Sequence, residues 1–268
     1  MMIRNPAVAG QFYPASEREL DLAVESLTAD LPGKVPAKAV VVPHAGYLYS
    51  GKVAGALFSA IEIPDRIVVM CPNHTGVGHQ AALWGSGEWR MPWGNVPVDE
   101  EFSSRLLKAA PILVDDPSAH GGEHALEVVL PFAHRFRKTF RLVPIVLGHL
   151  SLAQCRQLGE AIADTVSASE SPTLIVASSD MSHYVPDEVA RRNDRLAIDR
   201  MLSLDPKGLH ETVLTHRISM CGVLPATTAL FAALSLGATE ARLVKYATSG
   251  DATGDYRQVV GYAGLLFR

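Results

Sequence analysis

The sequence predicts an α/β fold: three α/β/α layers around a mostly parallel or mixed sheet. Four short, continuous apolar runs are the first sign, because strands of that kind belong to sheets covered on both faces. Longer stretches of helical period lie between them, and such alternation is the pattern of α/β architecture. No Pro/Gly/Ser-rich linker, composition shift or repeat of fixed period divides the 268 residues, so residues 1–268 are expected to form a single domain.

In chain order, the segment "SERELDLAVESLTADL" (16–31) spaces its apolar residues by three and four and is expected to be a helix. "KAVVVP" (38–43) is the first strand and "DRIVVMCP" (65–72) the second. Helical spacing returns in "VDEEFSSRLLKAA" (98–110) and "EHALEVVLPFAHRF" (123–136). The strand "FRLVPIVLG" (140–148) precedes the helix "SLAQCRQLGEAIADTV" (151–166), and "TLIVASSD" (173–180) is the fourth apolar strand. Two further helical stretches, 187–203 and 223–236, lead to a closing strand pair, "ARLVKYAT" and "QVVGYAGLLF".

Composition excludes several classes of function. Apolar residues make up 48% of the chain and charged residues 19%, which suits a folded globular protein. A net charge of −4 and no long basic run leave no surface for a phosphate backbone, so nucleic acid is not an expected partner. The N-terminal "MMIRNPAVAGQFYPAS" lacks an apolar core of signal-peptide length, and no stretch approaches the roughly 18 apolar residues that span a bilayer. A cytoplasmic protein without a membrane segment is expected. The three cysteines, Cys71, Cys155 and Cys221, have no paired spacing, which argues against a disulfide framework.

In open α/β sheets, ligands bind beyond the carboxyl ends of the strands. Three predicted strands end in chemistry there: "VVVPH" delivers His44, "VVMCPNH" delivers His74, and "IVASSDMSH" delivers Asp180 and His183. Alone, each such residue reads as a turn or a cap. Together on one rim they point to metal binding or proton transfer. Two neutral imidazoles suit zinc, iron or copper but leave the shell short of an anionic ligand. Cys221, at a predicted loop-to-helix junction in "HRISMCGVLPA", is a candidate, since a helix N-terminus favours thiolate. The other reading of Cys221 is a buried structural cysteine, which is also the reading of Cys71 in a strand and Cys155 in a helix.

Other features carry less. "GGEHALEVVLPF" sets Glu123 and Glu127, and His120 and His124, one helical turn apart, without the His-Glu-x-x-His order of a zincin. Glu123 reads as a helix-start acid, and His124 either as a substrate-binding residue of the pocket or as a capping or core ring. His79, His134, His149, His210 and His216 have no supporting pattern, and Trp93 in "MPWGNVPVD" reads as a packed turn. "TSGDATGDY" lacks the spacing of a calcium loop and is expected to be a loop between strands. Nucleophile-elbow, Walker and complete dinucleotide-binding glycine motifs are absent from the sequence.

The motifs "NPAVAGQFYP", "PHAGYLYSG", "CPNHTG", "GNVPVD", "GGEHALEVVLPF", "ASSDMSHY", "MCG" and "SGD...VVGYAG" occur in the order found in the Memo family, also called AmmeMemoRadiSam system protein B. The resemblance runs from about Asn5 to Tyr262. It implies a fold similar to the class III extradiol dioxygenases. It also implies that His44, His74 and Cys221 bind a metal, iron or copper, with zinc suited on ligand type. Asp180 and His183 match polar residues of the same pocket, and His183 resembles the acid/base histidine of the dioxygenases. Those enzymes complete their two histidines with a carboxylate, whereas this chain offers a thiolate, a softer and oxidisable ligand, so ring cleavage is not inherited with the fold.

Two classes of function follow. In one, the chain is a redox or oxygen-using metalloenzyme in which Fe(II) or Cu is held by His44, His74 and Cys221, Asp180 orients the pocket and His183 moves a proton. In the other, it is a non-catalytic protein that binds a small molecule, a peptide or a protein partner. For that case the resemblance implies work beside radical SAM and AMMECR1-like proteins. Zinc hydrolysis is a third reading, since two nitrogens, one sulfur and a water resemble an alcohol dehydrogenase-type shell.

Overall fold

The computed structural model describes residues 2–268. Among them the strands are β1 (Ile3–Arg4), β2 (Ala39–Val42), β3 (Arg66–Pro72), β4 (Ala81–Leu83), β5 (Glu88–Met91), β6 (Gly94–Pro97), β7 (Val114–Asp115), β8 (Arg141–Leu147), β9 (Thr173–Ser178), β10 (His183–Val185), β11 (Ala241–Thr248) and β12 (Val259–Phe267). The α-helices are α1 (Glu17–Leu27), α2 (Tyr47–Ala60), α3 (Glu100–Ala109), α4 (Leu130–Phe136), α5 (Leu152–Ser167), α6 (Asp187–Leu202), α7 (Pro206–Thr215), α8 (Val223–Ser235) and α9 (Gly250–Thr253).

The four apolar runs form the centre of the main sheet, whose order is β10-β12-β2-β9-β3-β8-β4-β7, with β11 also paired to β12. Strands β2, β9, β3 and β8 are parallel neighbours, whereas β12 joins β2, and β4 joins β8, in antiparallel sense. The sheet is therefore mixed, with a parallel heart. Register brings Val42 of β2 level with Ser178 of β9, and Met70 of β3 level with Ala177, so these three strands end together at one edge. A separate three-stranded sheet, β1-β5-β6, lies beside it.

Because successive strand residues point to opposite faces, each central strand feeds two cores. Val41, Met70 and Ile175 pack with Leu158 and Ile162 of α5 and Leu230 of α8. Val40, Val69 and Val176 pack with Leu20 of α1, Leu57 of α2 and Phe132 of α4. These are the three layers that the alternation of segments predicts.

Differences from the sequence reading have local causes. Helix α2 was not expected, because small and apolar residues run round it: Ser50, Gly51, Val53, Ala54, Gly55 and Leu57 are all buried. A Cβ at Gly55 would collide with the Leu27 carbonyl, so glycine is what allows α1 and α2 to meet. Helix α7 was also unforeseen, although Asp205 caps it through Gly208 N and Pro206 opens it. The helix expected over 123–136 is corrected: a 3-10 turn at Glu127–Val129 precedes α4, and residues 123–126 lie outside any helix. The loop expected at "TSGDATGDY" holds the single turn α9, closed by Gly254 in the left-handed conformation (φ 75°).

Candidate functional site

The common edge of β2, β9 and β3 is where the sequence places its polar residues. His44 follows β2, His74 follows β3, Asp180 follows β9, and Cys221 sits just before Gly222, the N-cap of α8. A side chain at Gly222 would strike the Ser178 carbonyl and the Ser179 side chain, so glycine lets the Cys221 segment lie against the end of β9. One ligand atom from each of His44, His74 and Cys221 can be chosen so that all three lie within 4.8 Å of one another. A metal about 2.0–2.3 Å from tetrahedral donors sets them roughly 3.3–3.8 Å apart, and Cys221 Sγ and His44 Nε2, at 3.4 Å, already stand at such a spacing.

Outer hydrogen bonds decide which nitrogens face the cluster. Ser178 Oγ lies 2.6 Å from the Ala125 carbonyl, which only accepts, so the hydroxyl proton is committed there. His44 Nδ1, 2.8 Å from the same oxygen, must then be the donor, and Nε2 keeps its lone pair. That Nε2 lies 3.4 Å from Cys221 Sγ. His44 is only 2% exposed, and burial, then the neighbouring His74, pushes its pKa well below the usual imidazole range, so the ring is neutral.

Glu123 does the same for His74. Its carboxylate takes the His74 backbone N–H at 2.6 Å, the His74 Nδ1–H at 2.9 Å and the Ala125 N–H at 2.9 Å. Burial raises its pKa, yet these donors outweigh burial and hold it down at about 2. His74 responds in the opposite sense: burial lowers its pKa, and the Glu123 carboxylate more than compensates and raises it. Nε2 of His74 is left as the ring nitrogen with a lone pair to offer. A carboxylate behind a ligand histidine is a recurrent outer-shell arrangement at metal centres.

Cys221 differs from the sequence reading in one respect. Its thiol pKa is raised, not lowered, because burial and then the Asp180 carboxylate oppose a negative sulfur more than the helix end favours it. Without a cation, Cys221 is a thiol that accepts from Asp180 N at 3.3 Å. Asp180 is buried as well, which raises its pKa, and its Oδ1 accepts the His44 N–H at 2.8 Å.

Asp180, His124 and His183 lie outside the close trio and line, with His44 and His74, a cavity of about 590 Å³. His124 stacks on His74 with ring centres 4.9 Å apart and stands edge-on to His44 at 5.7 Å. It is therefore a pocket wall, not a helix cap; His74, Glu123 and His124 form a second cluster of potential ligands that shares His74. His183 Nδ1 lies 2.8 Å from the Ser219 carbonyl and donates to it, leaving Nε2 unprotonated in the neutral ring. Cys71 and Cys155 are buried in the two cores, as packing residues should be. Trp93 packs against His134, away from the cavity.

Sequence reasoning missed Ser178 and the outer role of Glu123. "ASSD" holds no sign that one serine, and not the other, would meet His44. Glu123 was visible, but as a helix-start acid; the neighbouring His124 and two glycines were the available hint of a ligand loop.

Fold and site together define an α/β protein with a two-histidine, one-cysteine cluster, reaching from buried His44 to exposed His74, at the carboxyl edge of its parallel strands. The chain belongs to the Memo-like family, whose model, described as "Memo-like protein", matches residues 4–266. It is 42% identical over 281 residues to a MEMO1 family protein of Methanopyrus kandleri, covering 100% of this chain and 99% of that one. A MEMO1 family protein of Aquifex aeolicus is also 42% identical, with both chains fully covered. A solved structure of an uncharacterized protein from Escherichia coli K12 shares the fold at TM-score 0.56 and 13% identity, covering 85% of this chain and 98% of that chain. Among the described residues, no helix is long and apolar enough to cross a membrane.

Proposed function

We propose that the protein is a metal-dependent redox or oxygen-using protein whose metal is held by His44, His74 and Cys221. The observation that carries this reading is the lone pair on Nε2 of His44, freed by the Ser178–Ala125 hydrogen bond and aimed toward Cys221 Sγ. Glu123 prepares His74 in the same way. Two imidazoles and a sulfur suit Fe(II) or Cu, and zinc is acceptable on ligand type. When bound, such a metal supplies Lewis-acid polarisation and, for iron or copper, electron transfer.

The remaining work falls to the chain itself. Asp180 holds the His44 backbone in place through Oδ1 and presents its other oxygen 3.9 Å from His44 Nε2, at the cavity floor. His183, oriented by the Nδ1 hydrogen bond to Ser219, turns Nε2 toward a ligand in the cavity, where it would serve as the base. His124 forms the wall against which that ligand rests.

Cobalt(II) is a suitable probe. Titration of the metal-free protein is expected to produce a sulfur-to-metal charge-transfer band that is absent in Cys221→Ser. Cobalt binding with identical spectra in wild type and variant would remove Cys221 from the ligand set.

A further inference from the structure

Tyr184 combines two unfavourable features at one position. Its backbone lies in the left-handed region, with φ at 57°, which side chains other than glycine rarely adopt. The residue is 73% exposed. It is also the extra residue of a β-bulge: His183 pairs with Val260 and Val185 with Val259, so Tyr184 has no partner in β12. Bulges of this kind re-aim side chains and gather beside active sites, and glycine is the usual occupant of a left-handed bulge position. A strained backbone that presents an exposed aromatic ring is stable only because the surroundings impose it, and such strain clusters where ligands bind.

The rim around Tyr184 shares its character. Phe12, Tyr49 and Tyr262 line the same cavity, as do Gln11 and Gln258. Phe12 stands edge-on to His124, with ring centres 4.9 Å apart. Among the described residues no lysine or arginine lines this cavity, and Asp180 lies at its floor. Charge selection in this cavity would therefore come from a metal held at His44 and His74, and not from a lysine or arginine of the rim. Flat π-faces and side-chain amides instead match a ring with hydrogen-bonding edges.

We infer that Tyr184 is a ligand-contacting, specificity-determining residue that covers the mouth of the cavity, and that the ligand is a planar ring compound. This deepens the metal-site reading and rests on the cavity over that site being the ligand cavity. The bulge turns the Tyr184 ring out beside His183, 5.9 Å between ring centres, so a ring lying under Tyr184 would be within reach of that base. Nothing else at this position requires an aromatic side chain, and glycine would suit the backbone better.

The test uses the whole chain with indole and quinoline as planar ring probes and with cyclohexanol as the non-planar control. Dissociation constants are measured by NMR titration, with zinc uptake and Tm recorded on the same samples. Wild type is expected to bind indole and quinoline more tightly than cyclohexanol. Tyr184→Gly should weaken ring binding by roughly three- to tenfold, with zinc uptake unchanged and a Tm no lower than wild type, and Tyr184→Phe should retain ring binding. A purely structural tyrosine would instead lower Tm in Tyr184→Gly without selective loss of the rings. Cyclohexanol binding as tightly as indole, no ring binding at all, or unchanged ring binding in Tyr184→Gly would overturn the inference. Failure of wild type to take up zinc, with ring binding intact, would count against the metal reading alone.

Discussion

Nδ1 of His44 and Oγ of Ser178 lie 2.8 Å apart, and because the Ser178 hydroxyl proton is already given to the Ala125 carbonyl, this contact dictates the tautomer of His44. A serine at the end of β9 thus decides which nitrogen of a histidine at the end of β2 faces the cluster. Ser178→Ala should let the His44 proton move to Nε2 and weaken metal binding by about 10- to 100-fold. Competitive zinc titration, with imidazole nitrogen shifts reporting the tautomer, checks this; unchanged affinity would show that Ser178 does not act on the site.

Glu123→Gln should have a comparable or larger effect, since the carboxylate holds both the ring and the backbone of His74. It should also change acid stability. The pKa of Glu123 is depressed from 4.5 to about 2, so its contribution is fully present above pH 4.5 and is lost as pH falls toward about 2. At about 1.4 kcal/mol per unit that contribution is roughly 3 kcal/mol. Denaturant unfolding across that pH interval should show a shallower loss in the variant.

His183→Ala is expected to leave the metal bound while removing any oxygen-dependent turnover. His183 contacts Ser219 and lies outside the close ligand trio. Metal content and oxygen uptake measured on the same sample separate the two effects. Retained turnover would exclude His183 as the base.

A second pH dependence belongs to His120, which is fully buried between the rings of Trp84 and Trp89. Burial lowers its pKa from 6.5 to about 4. The unfolded chain takes up the proton first, so the stability present above pH 6.5 falls as pH drops toward about 4, by roughly 3 kcal/mol from this group. His120→Leu should flatten the unfolding free energy over that interval, and an unchanged slope would contradict the assignment.

The candidate ligands were legible because each ends an apolar run or precedes a helix, and strand ends in α/β sheets converge on one edge. His44 and His74 follow neighbouring parts of the sheet, with only β9 between them, and Cys221 lies just before the N-cap of α8 at the same edge. The groups that orient them were not legible. Glu123 is 49 residues from His74 and Ser178 is 134 from His44, and no local periodicity encodes such pairings. The same holds for the buried Arg4–Glu127 ion pair, in which Glu127 also accepts from Ala7 N, Val8 N and Tyr13 Oη and so pins the segment that carries Phe12. Helix α2 escaped because its small residues serve close packing on several sides and leave no single apolar stripe.

Metal content by plasma mass spectrometry, on anaerobically purified wild type beside His44→Ala and Cys221→Ser, tests the His44–His74–Cys221 centre most directly. Near-stoichiometric iron or copper in wild type, lost in both variants, is the expected result. A wild type that takes no iron, copper or zinc even after reconstitution, or variants that keep it in full, would contradict the assignment.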